Sequence, residues 1–133
     1  MGNVVSVQGT LLAGPPKASC NKFPSGLVNA AFELTPPNKS AEVSCYHTRN
    51  LASLSAYTQL EGVGTTVTRG TFLYVRTTAR MMIRITTAGD SGDVVSELYV
   101  QGLFMQEFPA GNYLKKLEAQ GVGTVEYFAS GNQ

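Results

Sequence analysis

The chain of 133 residues predicts an all-β domain, a sandwich of about eight antiparallel strands, and three observations carry that prediction. Turn-forming clusters recur along the whole length: residues 14–16 (GPP), 24–26 (PSG), 35–38 (TPPN), 61–64 (EGVG), 88–93 (AGDSGD), 109–112 (PAGN), 120–123 (QGVG) and 130–132 (SGN). The runs between them are mostly of roughly 6 to 18 residues, and many are too short for a helix. Those runs are rich in Val, Thr, Tyr, Phe and Ile, whose branched or aromatic side chains suit a pleated surface. Several of them also alternate apolar and polar residues with the period of two that a half-buried strand requires.

The elements follow in order. Residues 4–12 (VVSVQGTLL), 30–35 (AAFELT) and 41–48 (AEVSCYHT) alternate well enough to be strands. Residues 49–60 (RNLASLSAYTQL) are ambiguous, because Leu51, Leu54 and Leu60 fit a helix while Ser53, Ser55 and Thr58 dilute it. The segment 72–87 places Arg76, Arg80 and Arg84 four residues apart, which would make a basic stripe on a helix. A helix would have to hold four threonines together with Val75, Ile83 and Ile85, residues that lose side-chain freedom in that geometry. Two strands fit better. Leu73 and Val75 share one face and Phe72, Tyr74 and Arg76 the other; Met81, Ile83 and Ile85 then oppose Arg80, Met82 and Arg84. Thr77, Thr78 and Ala79 make the turn of a tight hairpin, and the arginines form the outward row of two neighbouring strands.

Beyond that hairpin, residues 94–108 and 112–120 read mainly as strands with Leu98, Val100 and Leu103 inward, although YLKKLEA alone could form a turn of helix. Residues 124–130 (TVEYFAS) make a last strand with Val125 and Tyr127 on one face. About eight strands result, the count of a jelly roll. The string GVGT occurs at 62–65 and again at 121–124. It reads either as twin hairpin turns in which glycine supplies positive φ, or as coincidence among small residues.

Composition narrows the function classes. A single domain of this size buries roughly two-thirds of its unfolded surface, enough for a core without staples. Charged residues make up 14% of the chain, against about 25% in soluble domains generally. A surface of hydroxyls and amides favours contact with other proteins, since few ions must be desolvated when it is covered. A net charge of +1 argues against a dedicated duplex-binding protein. No run of about 18 apolar residues suggests a membrane span, and the first residues lack the pattern of a secretory signal, so the chain is expected to be made in the cytoplasm. Gly2 and Ser6 formally match an N-myristoylation pattern, which is short and common.

Catalytic vocabulary is sparse. His47 is the only histidine, two residues from Cys45 and on the same face of a regular strand, which reads as a half-buried strand histidine rather than a metal ligand. Cys20 and Cys45 read as free or buried thiols. No GxSxG elbow, phosphate loop or EF-hand spacing is present. No catalytic residue, cofactor or metal is expected. The aromatic residues of the second half, Phe72, Tyr74, Tyr99, Phe104, Phe108, Tyr113, Tyr127 and Phe128, serve a core first and a stacking platform for sugars or single-stranded nucleic acid second.

Charge order gives the one set of candidate contact residues. Residues 62–88 hold four arginines and no acid, whereas residues 89–107 hold Asp90, Asp93, Glu97 and Glu107 and no base. These segments pair across strands within one sheet, or the basic edge of one copy meets the acidic loop of the next. In the second case Arg76, Arg80, Arg84, Asp90 and Asp93 are partner contacts.

The order TFLYVRTTARMMIRITT, AGDSGD, LYVQGLFMQEF, YLKKLEAQ and TVEYFASG, over roughly residues 69–131, resembles small virion structural proteins of bacteriophages. The resemblance implies a jelly-roll-like β-sandwich that decorates or cements a capsid. Its partners would be the major capsid protein or other virion subunits and further copies of itself, as a dimer or trimer. It implies no enzyme, no specific nucleic acid and no membrane. Residues 1–22 would then be an extended N-terminal arm that orders over a partner surface. A glycan- or receptor-binding sandwich using exposed aromatics such as Tyr74, Tyr99 or Tyr113 is the alternative.

Overall fold

The computed structural model describes residues 3–4, 7–13, 28–34, 40–41 and 43–133. The described residues are all-β. Ten strands follow one another: β1 (Asn3–Val4), β2 (Val7–Ala13), β3 (Val28–Leu34), β4 (Ser40–Ala41), β5 (Val43–Gln59), β6 (Arg69–Thr77), β7 (Met81–Thr87), β8 (Val94–Val100), β9 (Leu103–Glu107) and β10 (Leu114–Asn132). A single turn of 3-10 helix, Ala110–Asn112, lies between β9 and β10.

Two compact units divide the chain, residues 6–35 and the remainder. In the smaller unit β2 and β3 form an antiparallel ribbon, with Val7 opposite Leu34 and Ala13 opposite Val28. The expected arm over residues 1–22 therefore includes a paired strand, and Gly2, Cys20 and the rest of residues 14–27 lie outside the described residues.

The larger unit contains the short β1–β4 pair and a six-stranded antiparallel sheet built around β10. This strand of 19 residues joins what the sequence predicts as two strands, and the QGVG segment is a bend inside it rather than a break. Its first part pairs with β7, from Leu114 opposite Thr87 to Gln120 opposite Met82. Its second part pairs with β6, from Val125 opposite Thr77 to Asn132 opposite Arg69. Strand β5 runs along β10 from Glu118, opposite Gln59, to Gly131, opposite Val43. The expected hairpin is thus corrected: β6 and β7 are consecutive but hydrogen-bond to successive parts of β10, not to each other.

The bend explains this. Gly121 and Gly123 have φ of +147° and +155°, and a Cβ on either would stand 3.2 Å from Met81 Cγ or 3.1 Å from Ala79 Cβ. Only bare backbone lets the β6–β7 link nest so closely against β10. Thr78 fastens it there, its amide donating to Thr124 O (3.1 Å) and its Oγ1 accepting from Thr124 N (2.9 Å).

Strands β8 and β9 repeat the pattern one strand further out in the same sheet. β8 pairs with β7 and β9 with β6, and the chain passes between them at Gln101–Gly102. Thr77 fixes that corner, its amide donating to Gly102 O (2.8 Å) and its Oγ1 donating to Val100 O (3.2 Å) and accepting from Gly102 N (3.1 Å).

Curling brings the inward residues together. Leu73 and Val75 of β6, Met81, Ile83 and Ile85 of β7, and Leu117, Ala119, Val125, Tyr127 and Ala129 of β10 are buried. Leu60, Val63 and Val67 of the β5–β6 link are completely buried and join the same core. Each such aliphatic side chain contributes about 1.5–3 kcal/mol by leaving water. Two expectations fail locally: Leu103 points outward at the start of β9, and Phe72, on the outward alternation of β6, is buried beside Phe128.

Candidate functional site

The outer face of the sheet gathers most of the chain's tyrosines and paired charges. Residues of one alternation meet across strands there, so the register decides which side chains touch. Phe128 of β10 lies between Tyr46 of β5 and Tyr74 of β6, and the next outward row holds Thr48, Glu126 and Arg76. Glu126 accepts from both phenols, Tyr46 at 2.7 Å and Tyr74 at 3.0 Å, with Arg76 Nε at 3.8 Å. Hydrogen bonds to the charged form hold the Glu126 carboxyl below its ordinary range, Tyr46 contributing first and Tyr74 next. The same contact raises Tyr46, whereas Tyr74 is raised first by burial and then by Glu126.

A second cluster forms where β10 pairs with β7. Arg84 stands in register with Glu97 of β8 and Glu118 of β10. Its Nε lies 3.8 Å from Glu118, which Lys116 also approaches at 3.7 Å. Tyr57 covers the guanidinium, 3.7 Å from ring centroid to Cζ, and its hydroxyl donates to Glu97. Burial first, then the hydrogen bond to Glu97, raises the Tyr57 phenol.

Tyr57 reaches this position through an irregularity of β5. Thr58 pairs with Ala119, yet Ser53 pairs with Gly121, so the segment 54–57 stands opposite Gln120 alone. Such a bulge bends its strand and re-aims side chains. It is held internally: Ser53 Oγ accepts from the amides of Ser55 (3.4 Å) and Ala56 (3.1 Å), and Gln120 Nε2 donates to Leu54 O at 2.8 Å. Leu54 is left 79% exposed at the tip.

Arg80, in the β6–β7 link, stacks on Tyr99 of β8 at 3.8 Å. Asp93 is bonded to Lys115 Nζ (2.8 and 3.1 Å), which raises the lysine's pKa through that hydrogen bond. Asp90 is exposed in the β7–β8 loop. The five sequence candidates are therefore not one site. Arg76 and Arg84 belong to two separate tyrosine–carboxylate clusters, Arg80 to the sheet corner, and Asp93 to a lysine outside the arginine row. The partners that sequence reasoning missed are Tyr46, Tyr57, Glu118 and Glu126. Alternation marked Glu126 as outward, opposite to Val125 and Tyr127, whereas the bulge hid the position of Tyr57.

Inside the sheet Cys45 is a buried free thiol with its pKa raised by that burial. His47 packs its ring on Tyr127 with centroids 5.6 Å apart. A separate polar cleft of about 290 Å³ is lined by Arg69, Thr71, Ala110, Tyr113, Asn132 and Gln133. Among the described residues, no three His, Cys, Asp or Glu side chains gather as metal ligands would. The outer face offers rigidly held phenols, paired charges and single exposed apolar residues, the vocabulary of a protein contact surface. No protein-family model, curated protein or solved structure matches the chain.

Proposed function

We propose that the chain is a non-enzymatic structural protein of a bacteriophage virion, decorating or cementing the capsid through contacts with capsid subunits and with further copies of itself. The observation that carries the reading is the outer face. Its tyrosines and carboxylates bond to each other, so little ordering entropy remains to be lost when a partner covers them. Leu54, Val122 and Tyr99 stand out of that face with exposures of 79%, 53% and 59%, apolar knobs on a surface with few free charges. Aromatic anchors surrounded by satisfied polar groups are the usual composition of a protein–protein contact.

Purified particles from the source of the gene test this directly. Protein at a fixed copy number per particle, released on mild heating together with loss of capsid stability, is the expected result. Its complete absence from purified particles overturns the proposal.

One observation favours a glycan- or receptor-binding reading: Tyr46 exposes 59% of its surface beside a hydrogen-bonding carboxylate, Glu126. An exposed ring next to a fixed acceptor is what a sugar face and its hydroxyls require. A glycan array decides it. Binding that Tyr46→Ala abolishes would replace the virion reading with this one.

A further inference from the structure

We infer that the free edge of β8 is a self-association site, pairing antiparallel with β8 of a second copy about a two-fold axis through Leu98.

The edge itself is the first observation. Among the described residues, β8 ends the sheet path and pairs with β7 on one side only. It pairs without any register shift over seven residues, Thr87 opposite Val94 through Met81 opposite Val100. An uninterrupted edge strand presents a row of unsatisfied amides and carbonyls, and folded proteins blunt such edges with lysine, proline, bulges or a covering element. None of these is present: residues 94–107 contain no Lys, Arg or Pro. Nor do the described residues of the larger unit cover the edge, where Val94, Val95, Ser96, Glu97 and Tyr99 are all exposed. The first two expose 53% and 55% of their surface.

Complementarity identifies the occupant. Arg80 sits on Tyr99 and has no carboxylate partner among the described residues. Glu97, two residues away on the same face, accepts from Tyr57 and stands in register with Arg84, with no further hydrogen-bond donor among the described residues. A two-fold at Leu98 places Glu97 of one copy opposite Tyr99 of the other, so each Glu97 meets the Arg80 that caps its neighbour's ring. The contact is made twice by symmetry, as an isologous interface requires. On the opposite face Leu98 meets Leu98, Ser96 meets Val100, and exposed Val94 falls against Gly102. Space is open there, because a Cβ built on Gly102 would touch nothing within 4 Å. The alternative register centred on Glu97 would set the two Glu97 carboxylates against each other, which is unfavourable. The inference stands apart from the capsid reading, since a chain that dimerises but never meets a shell keeps this site and loses that function.

Sedimentation velocity over a dilution series tests it with the intact chain. Because a single strand edge is a small interface, the dimer should be half-dissociated at roughly tens of micromolar. Arg80→Glu should weaken it at least tenfold in a chain that still folds with the wild-type circular dichroism spectrum, and adding Glu97→Lys should restore it. Register is read by cysteine trapping in a Cys20→Ser background, the remaining thiol of Cys45 being buried. Val95→Cys mixed with Gln101→Cys should give a mixed disulfide, whereas Val95→Cys alone should not link to itself. A wild-type chain that stays monomeric at several hundred micromolar, a dimer indifferent to Arg80→Glu, or self-linking of Val95→Cys as fast as the mixture would each overturn the assignment.

Discussion

Tyr57 lies over Arg84 with its ring centroid 3.7 Å from the guanidinium carbon, although the two residues sit on strands separated by the whole width of β10. The four-residue excursion of β5 makes this possible by carrying Tyr57 across the outer face. Arg84 Nε is buried without a hydrogen-bond partner. The tyrosine ring, Glu118 and Glu97 are thus what compensates a partly desolvated cation.

Removing the ring should therefore cost more than its area. Tyr57→Ala is expected to lower unfolding stability by about 1–2 kcal/mol, the range for a cation–π contact with reduced hydration. Tyr57→Phe keeps the stacked ring and loses only the bond to Glu97, so its cost should be about 1 kcal/mol or less. Urea denaturation of the three proteins gives both values. Equal losses for Ala and Phe would place the effect in the hydroxyl instead.

Glu126 gives the chain an acid-sensitive contact with a definite sign. Its folded pKa lies below the ordinary 4.5 because Tyr46 and Tyr74 donate to the carboxylate. A depressed folded pKa means stability fully present above the unfolded value and lost as pH falls through the folded one. Carbon-detected NMR titration should find Glu126 below 4.5 in the wild type. It should move up in Tyr46→Phe/Tyr74→Phe, whose acid-denaturation limb should be correspondingly shallower between the two pKa values.

The division between what was legible in the sequence and what was not follows a physical line. Alternation over Met81, Ile83 and Ile85, or over Val125 and Tyr127, reports burial directly, since each residue's face is fixed by its own strand. Partnership is not local. Whether β6 pairs with β7 or with β10 depends on glycines 40 residues away whose bare backbone admits the β6–β7 link. Turn chemistry alone made Gly121 and Gly123 look like a strand end, because a bend with positive φ and a hairpin turn use the same residue. Arg76 and Arg84 do lie on the outer face, but not as one row on neighbouring strands: β10 separates β6 from β7, Arg80 lies in the link between them, and the carboxylates nearest Arg76 and Arg84 come from β10. Only Arg84 and Glu97 realise that expected complementarity in register.

The glycines of the β5–β6 link and of the acidic loop separate strain from collision. Gly62 has φ of +92°, and a Cβ there would stand 2.8 Å from both Cβ and Sγ of buried Cys45. Gly92 has φ of +126° but open space around the same atom. Gly92→Ala should cost only the backbone strain, about 1–3 kcal/mol. Gly62→Ala adds overpacking of a further 1–3 kcal/mol, because the thiol lies in a filled core. Thermal denaturation should rank Gly62→Ala clearly below Gly92→Ala, and Gly62→Ala/Cys45→Ala should recover part of the difference. Equal melting temperatures for the two single variants would remove the steric explanation.

Tyr127 ties the buried link to the sheet, and its hydroxyl can be tested alone. The ring is completely buried on the inner face of β10, packed on His47, and its Oη donates to Glu61 O at 2.7 Å. That carbonyl immediately precedes the segment that delivers Val63 and Val67 to the core. Tyr127→Phe preserves the packing and removes the donor to a part-buried carbonyl, so a loss of about 0.5–1.5 kcal/mol is expected. The pH dependence carries a sign as well. Burial pushes the Tyr127 phenol far above its usual range. A raised folded pKa means that the unfolded chain ionises first, so this contribution is complete below about pH 10 and declines as pH rises further. Urea midpoints between pH 8 and 11 should fall less steeply for Tyr127→Phe than for the wild type. Ultraviolet difference titration should show one of the six tyrosines ionising only with unfolding. Full ionisation of all six in the folded state would mean that Tyr127 is open to water, and would remove the basis for both effects.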